Sequence, residues 1–236
     1  IIGSVPSWPL ARRWRVPPAT LALGVYGLFG FHFLLFIALR NAPPVEANLV
    51  NYLWPLFIVV LAPLLLPGTR WRLVHVAAAL VGFAGAALAI VGGRSVSGDL
   101  AWGYVAALGS ALIWSTYSLL TRRVAHFPTA AIGLFGLVSG ALALGCHWLL
   151  EPAVQLSPRD WILLVATGLG PLGAAFFLWD AALKRGDPSR IGILSYLTPL
   201  ASTLLLVLTS GRQLTGSIVV AAALIVGAAI VGVRAR

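Results

Sequence analysis

The segment Tyr52-Leu-Trp-Pro55-Leu56 returns as Tyr196-Leu-Thr-Pro199-Leu200, 144 positions on (196 − 52) and again inside an apolar run. Aligned at that offset without gaps, residues Ala22 to Ala84 give 20 identities over 63 positions. Among them are Phe33/Phe177, Leu34/Leu178, Ala38/Ala182, Pro44/Pro188 and Val76-Ala-Ala-Ala-Leu80 against Val220-Ala-Ala-Ala-Leu224. A match of this length is an internal repeat, not shared composition. Whatever the chain folds into must contain one unit twice.

That unit belongs in a membrane. The chain is 60% hydrophobic and 9% charged, with a mean hydropathy of +0.97. A soluble domain of 236 residues cannot hide so much apolar surface. Eight apolar segments follow a proline- and arginine-rich start that is read as a loop up to Thr20. They run over Leu21–Leu39, Ala47–Leu66, Leu73–Val91, Leu100–Leu120, Ala130–Leu150, Trp161–Leu183, Ile191–Leu208 and Ile218–Val233. Each approaches the ~20 residues that cross the hydrocarbon core as helix. Helix is required because lipid offers the backbone no hydrogen-bond partner. The connections are short and carry turn signals, such as Asn41-Ala-Pro-Pro44 and Gly186-Asp187-Pro188.

Counting segments sets the architecture. Those beginning at Leu21, Ala47 and Leu73 match those beginning at Trp161, Ile191 and Ile218. The two between them have no upstream partner, so their counterparts are expected ahead of residue 20. The absence of any methionine points the same way. The expected fold is an all-α polytopic membrane protein of two inverted five-helix repeats. The intact protein then has ten transmembrane helices, about eight of them complete here. Residues 1–99 form the first repeat, lacking its first two helices, and 100–236 form the second. Five is odd, so the second copy enters from the opposite side, an arrangement typical of secondary transporters.

The basic residues fix an orientation. With the C-terminus in the cytoplasm, that side collects Arg12, Arg13, Arg15, Arg70, Arg72, Arg122, Arg123, Lys184, Arg185, Arg190, Arg234 and Arg236. The other side receives Arg40, Arg94, Arg159 and Arg212. This is the bias of a positive-inside membrane protein. It accounts for the net charge of +10 without nucleic acid, for which no basic face exists. A single cysteine, Cys146, excludes an intrachain disulfide and a cysteine metal set, and no cofactor is implied.

Polar and aromatic residues at membrane depth mark candidate sites. Asn48, Asn51, Tyr52 and Pro55 share one face of the first proline helix, with Trp54 beside them. Ser195 and Tyr196 stand at the matching place in the second. Kinked, repeat-related helices point to a midplane site. Trp114 and Tyr117 lie on one helical stripe with Ser110 and Ser118, a stacking surface beside hydroxyls. The alternatives are helix–helix hydrogen bonding and an interfacial aromatic belt. His32 and Asp180 are the candidates for a proton relay, although Asp180 stands four residues before Lys184 and reads equally as an i,i+4 ion pair. Small residues, Ala78, Gly82, Ala86 and Ala223, Gly227, read as helix packing or a homodimer face.

These features resemble the drug/metabolite transporter superfamily, in its EamA-type branch. The resemblance rests on the two Tyr-Leu-x-Pro helices and on Ala182-Leu-Lys184-Arg-Gly-Asp-Pro-Ser189. It also rests on Gly103-Tyr-Val-Ala-Ala-Leu-Gly-Ser-Ala-Leu-Ile-Trp114-Ser-Thr-Tyr117 followed by Arg122-Arg123, and it extends from residue 20 onward. One departure is that Arg70 and Arg212 stand where such repeats often carry a glutamate. The resemblance implies a multi-pass protein of the bacterial inner membrane, monomeric or homodimeric, that exports small metabolites. Within the family the chain is similar to exporters of amino acids, aromatic ones included. A multidrug or other metabolite carrier is the alternative, and a membrane-embedded enzyme the reading from another class. A cavity nearly free of charge suits a neutral or zwitterionic solute with apolar bulk.

Overall fold

The structure, a computed structural model, describes residues 14–91, 101–210 and 216–234. Within them the chain is helical. Helix α1 spans Pro18–Asn41, α2 Pro44–Leu65, α3 Leu73–Val91, α4 Gly103–Leu120, α5 Thr129–Leu150 and α6 Pro158–Arg185. Helix α7 is made of Pro188–Leu194 and Leu197–Ser210, and α8 spans Gly216–Arg234. Seven of the eight are long and apolar enough to cross a membrane as continuous helices. The exception is α7, which is split at Ser195–Tyr196. The expected spans at Leu100–Leu120 and Ile218–Val233 correspond to α4 and α8. The basic cluster Arg12–Arg13 lies outside the described residues.

Proline starts several of these helices. Pro18, Pro44, Pro158 and Pro188 each occupy the first turn, where the missing N–H costs nothing and the fixed φ suits the helix. For this reason α2 and α7 begin three residues earlier than the apolar runs at Ala47 and Ile191. In α6 the start is fixed further by a capping box, in which Ser157 Oγ accepts from the Asp160 N–H and the Asp160 carboxylate accepts from the Ser157 N–H.

Interior proline and glycine break the helices in matched places. Pro55 gives no N–H to the Asn51 carbonyl, and α2 turns loosely through Tyr52–Leu53 before resuming at Trp54. Pro199 stands in the same relation to Ser195 in α7. Helix α1 widens into a π-turn at Tyr26–Gly30 and α6 into another at Gly170–Ala174, 144 positions apart (170 − 26). Both π-turns are glycine-rich and were not anticipated from periodicity. Helix starts repeat at the same spacing (188 − 44), as do the ends of α1 and α6 (185 − 41).

Lipid supplies no hydrophobic drive between helices, so they associate through close packing of small residues. On α3 the buried face is Ala78, Ala79, Gly82, Gly85, Ala86 and Ala89. It meets Ala221, Ile225 and Ala228 of α8, while Gly232 further along α8 packs on Ile193 of α7. The stripe expected on the second helix, Ala223 and Gly227, is therefore displaced. Ala223 is exposed and Gly227 has nothing near it. The run Ala221-Ala-Ala223 offers three rows about 100° apart, and the approach of Gly85 to the Ala221 carbonyl selects the first. Helix α4 is the innermost span, packed on α1 and α2. By contrast Pro158–Leu169 of α6 buries nothing, and Ile162, Leu163, Leu164 and Val165 all point outward, as apolar side chains in lipid do.

Close approach makes a test of this packing. A Cβ on Gly103 would stand 2.7 Å from the Asn41 backbone and 2.8 Å from the Ala38 carbonyl, atoms that cannot rotate away. We expect Gly103→Ala to destabilise by about 1–3 kcal/mol, as overpacking does. Gly227→Ala, with open space around it, should be neutral or stabilising by up to about 1 kcal/mol. Thermal melts of the two purified variants, moving in opposite directions, check the assignment.

Candidate functional site: an aromatic cluster between four helices

Trp114 is the hub. It sits mid-way along α4 and is 6% exposed. Its ring centroid lies 5.1 Å from Phe31 of α1, 6.4 Å from Trp54 of α2, and 5.5 and 5.8 Å from Phe176 and Trp179 of α6. Tyr117, one turn on, is 5.4 Å away. Trp54 stands edge-on to both Trp114 and Trp179, at 86° and 87°. Such edge-to-face pairs use the positive rim of one ring against the negative face of another, each for about 0.5–1.5 kcal/mol beyond area burial. Four helices thus converge on one patch of π-surface.

Hydroxyls line the same seam. Ser118 Oγ donates to the Trp114 carbonyl at 2.7 Å and accepts from Trp179 Nε1 at 3.1 Å. Ser110 Oγ, one turn the other way, donates to Asn51 Oδ1 at 2.7 Å, and both groups are buried. This bond ties the break in α2 to α4. The Tyr117 ring lies flat on α1 because Gly27, inside the π-turn, has no side chain to oppose it.

The sequence-derived candidates divide into groups. Trp54, Trp114 and Tyr117 belong to the cluster, and Asn51 adjoins it through Ser110. His32 stands at its edge, 5.6 Å from Phe176 and nearly perpendicular to it. His32 Nδ1 lies 2.6 Å from the Leu28 carbonyl. A carbonyl only accepts, so Nδ1 carries the proton and Nε2 is the free acceptor of the neutral ring. Tyr52 and Tyr196 lie elsewhere, in a packing cluster with Phe83, Ala86, Leu200 and Ile225. Tyr196 is fully buried against Gly82. Its hydroxyl points toward the Leu56 backbone without a hydrogen bond of ordinary geometry. Ser195 Oγ returns to its own helix, donating to the Ile191 carbonyl at 2.8 Å. Asn48 is half-buried in the first part of α2.

Asp180 follows Trp179 and is 3% exposed. Its carboxylate accepts from Lys184 Nζ at 2.6 Å, the i,i+4 pair. Lys184 also donates to the Phe127 carbonyl at 2.8 Å and to Thr129 Oγ1 at 3.3 Å, with its ammonium 4.1 Å from the Phe127 ring centroid. Beside it opens a hollow of about 200 Å³ lined by Thr121, Arg122, Val124, His126, Phe127, Leu183 and Lys184. Among the described residues no three His, Cys, Asp or Glu side chains come together to hold a metal.

Phe31, Phe176 and Trp179 were not singled out in the sequence. A signal existed: Phe176 stands 144 positions from His32 (176 − 32), and Trp179 follows it at helical i,i+3 spacing.

The buried Asn51–Ser110 bond supplies a test. Ser110→Ala leaves the amide carbonyl without its donor and should cost about 1–3 kcal/mol. Replacing both partners, Asn51→Leu with Ser110→Ala, should recover part of that loss in a thermal-melt cycle.

Comparison with known proteins agrees with this membrane-helical arrangement. The chain is 47% identical over 220 residues to the aromatic amino acid exporter YddG of Ancylobacter novellus, covering 92% of this chain and 76% of that protein. It is 26% identical over 216 residues to the aromatic amino acid exporter YddG of Salmonella typhimurium, covering 86% and 73%. A solved crystal structure, 44% identical, superposes with a TM-score of 0.85 over 96% of this chain and 81% of its own. The model of the EamA-like transporter family matches residues 1–91 and 101–234, and the chain is a member of that family of membrane transporters.

Proposed function

We propose that the protein exports aromatic or other hydrophobic amino acids across the bacterial inner membrane, with its C-terminus in the cytoplasm. The observation that carries the reading is the cluster of Trp54, Trp114, Tyr117, Phe31, Phe176 and Trp179 at the meeting of four helices. Its rings form a surface on which an aromatic side chain can stack, next to the hydroxyls of Ser110 and Ser118. The names of the two YddG relatives support the same substrate class.

Transport by alternating access follows from the repeat. Two five-helix units of opposite orientation, 1–99 and 100–236, rock about a shared midplane site in this reading. It is supported by helix starts, ends and π-turns that recur at an offset of 144, and by the distribution of arginine and lysine between loops. His32, with Nε2 free at the cluster's edge, is the better placed of the two relay candidates. Asp180 is engaged by Lys184.

Reconstitution into proteoliposomes tests the site. Trp114→Ala should lower kcat/KM for phenylalanine and tryptophan export by about tenfold or more, the loss of one or two stacking contacts. Tyr52→Ala should act more weakly, because Tyr52 packs toward Tyr196 and not toward Trp114. Export of aromatic amino acids that is unchanged in Trp114→Ala would sink the assignment of the cluster.

A further inference from the structure

Arg40 lies in the last turn of α1 and Lys184 in the last turn of α6, 144 positions apart (184 − 40). The two cations reach for the same neighbour, α5, from opposite ends. Lys184 Nζ holds the Phe127 carbonyl and Thr129 Oγ1, the residues that lead into α5. Arg40 Nη2 donates to Glu151 Oε1 at 2.5 Å, and Glu151 is the residue that follows the C-terminus of α5. The other oxygen of Glu151 takes His147 Nδ1 at 2.6 Å. Held first by His147 and then by Arg40, the Glu151 carboxyl stays below the usual glutamate range and keeps its charge for the pair. The 22 residues of α5 rise about 33 Å. The two clamps therefore stand roughly a hydrocarbon thickness apart.

Between its ends α5 is thinly held. Ala131, Ile132, Phe135 and Ser139 are the residues it buries, all but Ser139 near its first turns, and Gly136, Gly140 and Gly145 face open space. Each cation, moreover, sits on a segment that its own helix can swing. Arg40 belongs to Phe31–Asn41, beyond the π-turn Tyr26–Gly30, and Lys184 to Ala175–Arg185, beyond the π-turn Gly170–Ala174. A π-turn is a point where a helix bends without losing its hydrogen bonds. The same two segments carry Phe31 on one side and Phe176 and Trp179 on the other, which are walls of the aromatic cluster. Movement of either clamp moves a wall of the site.

We propose that Arg40 and Lys184 are the paired gate residues of the transport cycle, each tying a swinging helix segment to one end of α5 so that one end opens while the other stays shut. The inference rests on the inverted-repeat transporter reading above. In it the Lys184 clamp closes the cytoplasmic end and the Arg40 clamp the opposite end. They are unequal. Lys184 is 27% exposed, braced by the buried Asp180 of its own helix, and crosses to α5 through two acceptors, whereas Arg40 is 61% exposed. A solvated pair holds weakly and a buried, multiply bonded one strongly, so the cytoplasmic end is the more firmly closed.

Labelling of the full-length protein in nanodiscs, where both faces are open to a polar maleimide, tests this. Cys146, next to His147, reports on the outer clamp, and Thr121→Cys in a Cys146→Ser background reports on the cytoplasmic hollow. Because Lys184→Gln alone strands a buried charge, the cytoplasmic clamp is removed as Lys184→Gln with Asp180→Asn. That variant should raise labelling at Thr121→Cys by about tenfold and slow labelling at Cys146. Arg40→Gln should do the reverse, raising Cys146 labelling by about threefold and slowing Thr121→Cys, and Arg40→Lys should restore it. Opposed changes at the two reporters are the result that a simple structural tie cannot give. Changes in the same direction at both, or in neither, overturn the proposal, even where melting temperatures fall. Phenylalanine export is measured on the same preparations. A wild type that carries no aromatic amino acid but shows opposed labelling loses the substrate reading and keeps the gate. One that exports phenylalanine with unresponsive reporters loses the gate alone.

Discussion

The constraint on which the rest depends is the absence of water at membrane depth. An unpaired backbone N–H or carbonyl in hydrocarbon costs several kcal/mol, so a spanning helix breaks only where protein surrounds it. The two true breaks, at Tyr52–Leu53 and Ser195–Tyr196, obey this. Asn51, Pro55, Tyr196 and Pro199 around them are all buried. The π-turns obey it differently. A π-turn shifts its hydrogen bonds by one residue but keeps them, so Gly170–Ala174 is tolerated on a stretch of α6 that buries none of its residues. The other π-turn, Tyr26–Gly30, buries Gly27 and Leu28, so a π-turn is allowed in either setting, whereas the two breaks sit beside buried residues.

Much of this was legible in the sequence, because lipid makes the pattern simple. Apolar length alone located the spans, and the recurrence of Tyr-Leu-x-Pro located the two breaks. Helix starts were less legible: Pro44 and Pro188 read as loop residues when they are first-turn residues. The register of the α8 stripe was not legible at all. In Ala221-Ala-Ala223 every row is small, and only the partner helix, through Gly85, decides which one is buried.

The site was half legible for a related reason. Trp54, Trp114 and Tyr117 stood out because indole and phenol rings at mid-span need an explanation. Phe31 and Phe176 did not, because phenylalanine in lipid needs none. Their role appears only when four helices are brought together. Asp180 shows the opposite case. As the single carboxylate within the apolar runs of the sequence it drew attention as a relay, and Lys184 supplies the partner that the i,i+4 spacing had offered.

The two copies of the proposed repeat agree in backbone and differ in side chain, and the difference has a direction. Residue pairs 144 apart place Trp54 against Thr198, Leu35 against Trp179, Phe36 against Asp180, and His32 against Phe176. The last pair are in contact, at 5.6 Å between ring centroids. Opening first one end and then the other requires matched helices, matched bends and matched clamps, which are backbone features and cations at helix ends. Gripping a solute with one aromatic end and one zwitterionic end requires an unsymmetrical lining. The chain keeps the first set alike and lets the second diverge. The Asn51–Trp54 side of the repeat carries the amide and an indole, and the Ser195–Thr198 side carries two hydroxyls, of which that of Ser195 bonds back to its own helix. A symmetric lining would bind such a solute in two opposed poses with equal affinity. In the proposed transport cycle, the divergence of these side chains would select one pose, while the shared backbone would still allow release at either end.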